Sequence, residues 1–219
     1  MNKLIYAVIV VLVTTAMPLF AQGIGWGIVN AKIRSEFPDV PRMQTSELAD
    51  ILNNPNEQKP LLLDVRTKAE FDVSHLVGAT RVEPGADISK LPFPKDKTIV
   101  TYCSVGYRSA ATAKKLRNVG YTHVTNLEGS IFRWANEKRP LVHEEQPTDK
   151  VHPYNGVWGM LVDKAHRAVN APPAEAAKNA QQRISVQEDE NVGGRALRTQ
   201  VHVRSPLANV GGHERGSVE

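Results

Sequence analysis

Three short runs of strand-forming residues, each followed by a stretch of helical character, constrain the fold of this chain more than any other feature. Leu61-Leu62-Leu63-Asp64-Val65 is the near-continuous apolar run that a strand buried on both faces needs. Thr98-Ile99-Val100-Thr101-Tyr102 is β-branched, and His123-Val124-Thr125-Asn126-Leu127 reads as a third strand. Thr67-Lys68-Ala69-Glu70 has capping-box spacing and predicts a short helix after the first run. Ser109 to Val119 offers Ala110, Ala113, Leu116 and Val119 to a sheet, and Gly120 ends it. A further helix is predicted from about Ser130 to Lys138. Another lies upstream, capped by Thr45 or Ser46, with Leu48, Ile51 and Leu52 on one face. Strands separated by helices imply an α/β domain whose central parallel sheet is flanked by helices and whose ligands gather at the carboxyl ends of the strands.

That pattern occupies residues 40–143. Ahead of it, Lys3 gives a short positive region, Leu4 to Val13 is an unbroken apolar run, and Met17-Pro18-Leu19-Phe20-Ala21-Gln22 follows. Residues 1–22 read as a secretory signal peptide cut after Ala21. The alternative is an uncut anchor in the inner membrane, because apolar character resumes at Ile24, Trp26, Ile28 and Val29. Pro18 and Gln22 interrupt the roughly 20 apolar residues that a span requires. In both cases the domain is expected outside the cytoplasm, in a bacterial periplasm. Residues 144–219 turn polar and proline-containing. Tyr154 to Val169 is predicted as an amphipathic helix through Val157, Trp158, Leu161, Val162, Ala165 and Val169, packed on the domain or on a protein partner, with a flexible tail beyond.

The residues able to carry chemistry are few. One cysteine in 219 residues excludes an internal disulfide, a cysteine-rich metal site and a relay through a second thiol of the same chain. His143, His152, His166, His202 and His213 lack the tight spacing of metal ligands, and nothing in the chain calls for a cofactor. The net charge of +4 is scattered, with few aromatics among the basic residues, unlike a nucleic-acid surface. It still favours a small anion. Cys103 stands where a strand meets a helix, in the run Cys103-Ser104-Val105-Gly106-Tyr107-Arg108-Ser109. Loop N–H groups and the positive end of a helix stabilise a thiolate there. Gly106 lets the loop curl so that successive N–H groups converge on one point. A packing cysteine, the commoner use of a lone thiol, needs no Gly, Arg and Ser at these offsets.

With that loop, the middle section resembles a single rhodanese homology domain, the fold of thiosulfate and mercaptopyruvate sulfurtransferases. The marks come in family order: Leu63-Asp64-Val65-Arg66, Glu70-Phe71, His75-Leu76-Val77-Gly78-Ala79, the Cys103 loop, Leu127-Glu128-Gly129, Trp134 and Pro140-Leu141-Val142. The resemblance implies that Cys103 is the catalytic nucleophile and that Ser104, Val105, Gly106, Tyr107, Arg108 and Ser109 form the active-site loop. It implies two-step covalent catalysis, in which a small anionic sulfur donor such as thiosulfate loads a persulfide that a thiol or cyanide acceptor then discharges. Four residues separate Cys103 from Arg108. Related phosphatase-type loops carry one more, which suits phosphate or arsenate, so this loop resembles the sulfurtransferase branch. Arg108 either orients the anionic donor or forms a loop ion pair with Glu70. Ser104 and Ser109 offer hydroxyl groups to the sulfur, Ser109 alternatively capping the helix. Asp64 and Arg66 are expected to fix the loop from a strand end, and His75 to support a turn. The family's usual second glycine after Gly129 is Ser130 here. A non-turnover persulfide carrier that docks a partner shares the same cysteine and stays open on these residues. A phosphatase or arsenate reductase relative is disfavoured by loop length and by the lack of a second cysteine.

Overall fold

The computed structural model describes residues 22–172 and Ala174, so the signal peptide expected up to Ala21 and the tail expected from Glu175 onward lie outside the described residues. Residues 22–36 form helix α1. There follow β1 (Arg42–Met43), α2 (Thr45–Asn53), β2 (Leu61–Asp64), α3 (Lys68–Val73), β3 (His75–Leu76), β4 (Thr80–Arg81), β5 (Ile99–Tyr102), α4 (Tyr107–Asn118), β6 (Val124–Leu127), α5 (Ser130–Asn136), β7 (Leu141–His143) and β8 (Gln146–Thr148). The central sheet has the order β1-β6-β5-β2-β4, and every pairing in it is parallel. A small antiparallel sheet, β3-β7-β8, stands apart from it. Among the described residues no helix is long and apolar enough to cross a membrane.

The three predicted strands are the three adjacent central ones, and their side chains go alternately to two cores, as the pleat requires. Leu62, Val100, Tyr102 and Leu127 join Leu48, Ile131 and Phe132 on one face. Leu63, Ile99 and Val124 join Ala113, Leu116 and Tyr121 on the other. Helices therefore cover both faces, and the short β2, β5 and β6 are deeply buried. Buried parallel strands of this kind aim their carboxyl ends at one rim, where Asp64, Cys103 and Glu128 sit just at or beyond the strand ends.

Several local expectations are corrected. Gln44, not Thr45 or Ser46, precedes α2, and Thr45 Oγ1 instead donates to Glu137 at 2.8 Å. Helix α4 begins at Tyr107 with Gly106 as its cap, so Ser109 lies inside the first turn and does not cap it. The single amphipathic helix expected over 154–169 is absent. Two short 3-10 turns, Trp158–Leu161 and Lys164–His166, take its place, with Val162 extended between them and Val151 bridging Arg167. The Asn155 side chain accepts from the N–H groups of Val157 and Trp158, and Gly159 packs against Pro153, which favours tight turns over a continuous helix. Val151, Leu161 and Val162 are core residues, so the start of the extension is part of the domain. Helix α1 was not expected. It buries Val29 and Ile33 and lays Trp26 and Phe37 against the same core, a helical i, i+3, i+7, i+11 stripe.

Candidate active site

Cys103 follows directly on β5 and is 1% exposed. The turn to α4 needs Gly106 at φ 107°, the left-handed region. That conformation aims the Gly106 N–H at Cys103 Sγ, 3.2 Å away, while Asn126 Nδ2 holds the Gly106 carbonyl at 3.1 Å. The backbone of the loop is pinned from β6 and α5. Cys103 N donates to Ser130 Oγ, and the carbonyls of Cys103 and Ser104 accept from Ile131 and Phe132 N–H, each at 3.1 Å. Ser130 has φ 49°, which explains why a glycine would suit this place. Its hydroxyl also donates to the Leu127 carbonyl, so the serine gives a hydrogen-bonding link that glycine lacks.

Burial is the largest influence on the Cys103 thiol and pushes it up. The Arg108 charge outweighs it together with hydrogen bonding from the Ser109 hydroxyl, the Ser109 N–H and the Gly106 N–H, so the thiol is held below its ordinary value. The Ser109 hydroxyl is buried and makes no hydrogen bond of good geometry among the described residues, so its effect on the thiol is that of a nearby buried dipole. The arrangement favours a negative charge at sulfur inside a closed cradle.

Of the two roles expected for Arg108, the ion pair with Glu70 is present. Its Nη1 reaches Glu70 Oε2 at 2.9 Å and its Nη2 reaches Glu70 Oε1 at 2.6 Å, a bidentate pair. Arg108 also donates to Ser104 Oγ at 3.0 Å, and Ser104 donates on to Glu70 Oε1 at 2.8 Å. The Glu70 carboxylate further accepts from Thr67 N and Oγ1 and closes the predicted capping box of α3. Burial pushes the Glu70 carboxyl up. The Arg108 hydrogen bonds and charge, the Arg66 charge and the Ser104 hydrogen bond more than reverse this and hold it at about 2. Ser104 thus belongs to this network and not to the sulfur.

Asp64 and Arg66 are both fully buried and pair at 2.6 Å. Arg66 also donates to the carbonyls of Glu70 and Ser74, fixing the entry and exit of α3, so neither residue is open to a substrate. His75 stacks on Phe71 at 3.9 Å and shares a hydrogen bond with the Phe71 carbonyl, a turn support. Gly129, at φ 76°, has no room for a Cβ beside Arg133.

Two segments not expected at the site form its walls. A cavity of about 360 Å³ opens above Cys103, Ser104, Val105, Tyr107 and Arg108, and is bounded by Ile28, Val29 and Lys32 of α1 and by Tyr154 and Trp158. Helix α1 docks through Tyr107, whose hydroxyl donates to Glu36 and whose ring meets Phe37 edge-on at 5.5 Å. At its other end Gln22 donates to the Leu161 carbonyl and to Asp163. Tyr154 is held at φ 63°, strained for an aromatic residue, with its N–H on His152 Nδ1 and its ring 4.8 Å from the Arg108 guanidinium.

The region that carries this loop is similar to known proteins. A family profile, "Rhodanese-like domain", matches residues 44–137. A "Sulfurtransferase" of Allochromatium vinosum is 36% identical over 86 residues, which cover 39% of this chain and 80% of that protein. The "Probable adenylyltransferase/sulfurtransferase MoeZ" of Mycobacterium tuberculosis is 34% identical over 99 residues, covering 43% of this chain. The chain spans only 24% of the length of that relative. Among solved structures, a "Rhodanese-like Domain Protein from Staphylococcus aureus" is 25% identical with a TM-score of 0.40, covering 43% of this chain and 91% of that one. Helix α1 and the Tyr154–Trp158 segment lie outside the profile match.

Proposed function

The chain belongs to the rhodanese-like domain family, and on that footing we propose that it moves sulfane sulfur from thiosulfate to a thiol or cyanide through a persulfide on Cys103. In the first step the Cys103 thiolate attacks the outer sulfur of thiosulfate. A new S–S bond forms, the donor S–S bond breaks, and its electron pair leaves with sulfite. In the second, an acceptor thiolate or cyanide takes the outer sulfur, and the electron pair of the Cys103 S–S bond returns to the Cys103 sulfur. The observation that carries this reading is the Gly106 N–H directed at a buried Sγ whose thiolate is favoured. The same contact stabilises the thiolate before attack and the leaving thiolate after discharge.

Arg108 acts in this scheme mainly by keeping positive charge near sulfur while it neutralises Glu70. The absence of a second cysteine in the sequence means that the persulfide passes to another molecule. We also propose export to the periplasm, directed by the apolar run Leu4 to Val13 and read by N-terminal sequencing of protein recovered from a periplasmic fraction.

The full chain with thiosulfate and cyanide is expected to release thiocyanate, and Cys103→Ser to release none. No thiocyanate from the parent protein, with no mass gain of one sulfur on Cys103, would refute the proposal. The 1% exposure of Cys103 favours a second reading, a persulfide carrier discharged only by its proper acceptor. Stable loading of one sulfur without cyanide turnover would select it.

A further inference from the structure

The cavity above Cys103 is larger and less polar than inorganic sulfur compounds require. Its volume of about 360 Å³ is in the range of sites for organic ligands, whereas thiosulfate or cyanide fills a small part of such a space. Opposite the loop it presents Ile28, Val29, Tyr154 and Trp158. The two cations along it are already engaged, Arg108 with Glu70 and Lys32 with Glu36. A second cavity of about 500 Å³ shares Ile28, Val29 and Trp158 with the first and carries the apolar lining on past Val157, Met160 and Leu161, its polar members Gln22 and Arg167 being hydrogen-bonded within the protein. Ile28 and Val157 are about two-thirds exposed, an unusual investment of apolar surface at the mouth of a site. The wall is delivered with strain, since Tyr154 holds a left-handed backbone to stand over Arg108.

From this we infer that the sulfur acceptor served by this site is a low-molecular-mass thiol with an apolar body, held by Ile28, Tyr154 and Trp158. The inference rests on the persulfide reading and specifies its second step. The acceptor thiolate attacks the outer sulfur of the Cys103 persulfide, the S–S bond to Cys103 breaks, and its electron pair stays on the Cys103 sulfur. An organic persulfide leaves, and no oxidant or reductant is consumed.

The test uses the full chain loaded with thiosulfate and freed of excess donor, with loading confirmed by the mass of one added sulfur. Discharge is then timed with ethanethiol, propanethiol, butanethiol and pentanethiol, which share one reacting group, and with cyanide as a reference acceptor. Burial of each added methylene predicts a rise of roughly two- to fourfold in the second-order rate constant relative to cyanide. In Trp158→Ala, and separately in Ile28→Ser at an exposed position, the rise per methylene is expected to flatten. A flat series in the parent protein overturns the inference while leaving sulfur transfer intact, as does an undiminished slope in both variants. Failure to load sulfur at all overturns the underlying reading instead.

Discussion

Replacing Glu70 by glutamine tests the network that supports the loop. The Glu70 carboxylate has no exposed surface and accepts from Arg108, Ser104 and Thr67. Its carboxyl is held at about 2 against 4.5 for an ordinary glutamate. At about 1.4 kcal/mol for each tenfold, that difference is on the order of 3 kcal/mol of folded-state stability. The sign follows from a depressed folded value: the contribution is complete above 4.5 and is lost as pH falls from 4.5 through about 2. Between pH 6 and pH 3 the parent protein loses about 2 kcal/mol through this group, while Glu70→Gln has nothing to titrate there. The stability gap between the two proteins should therefore narrow from about 3 to about 1 kcal/mol, other carboxyls cancelling in the difference. Urea unfolding followed by far-ultraviolet circular dichroism at both pH values gives the four free energies. A gap of the same size at pH 3 as at pH 6, or a variant as stable as the parent at pH 6, would show that the buried pair does not work as described.

Arg108→Gln should move the inflection of the pH dependence of Cys103 alkylation upward, because the arginine charge opposes the effect of burial on the thiol. An unmoved inflection would assign the thiolate to the loop N–H groups alone. Ser130→Ala leaves the buried Cys103 N–H without its acceptor and should destabilise by about 1–3 kcal/mol in thermal or chemical unfolding; parent-like stability would contradict the link. Gly106→Ala has room for its Cβ, 3.4 Å from Ile33, but must adopt φ 107°, a strain of about 1–2 kcal/mol. Because relief of that strain turns the Gly106 N–H from sulfur, thiosulfate loading should slow more than the loss of stability alone explains.

What could be read from residues and what could not divides along physical lines. The runs that became β2, β5 and β6 are buried on both sides, so composition alone reports them. The capping box of Thr67 and Glu70 is a local motif and appears where its spacing puts it. The sulfur loop was legible because Cys103, Gly106 and Arg108 are close in sequence. Glu70 as the anchor of Arg108 was only one of two readings, since that pairing spans 38 positions. Strands β1, β3 and β4 are two residues long and carry no periodic signal. Helix α1 did carry one, in Trp26, Val29, Ile33 and Phe37, but it adjoins the apolar run at the N-terminus, and the two merge into one apolar stretch. The 154–169 stretch has the apolar count of a helix, and the side chain of Asn155 with the packing of Gly159 turns it into short bends.

The hydrogen bond from Gln22 to Asp163 joins residues 141 positions apart, with α1 and the 158–163 turn meeting across the site. A ring of that span closes slowly, since chain entropy must be surrendered before the contact stabilises anything. Sheet and loop are built from residues 42–136, but the walls above Cys103 are complete only when these two outlying segments find each other. A chain still being synthesised, or one cut within either segment, would present its thiol unroofed. The contact thus ties possession of a working pocket to possession of both segments.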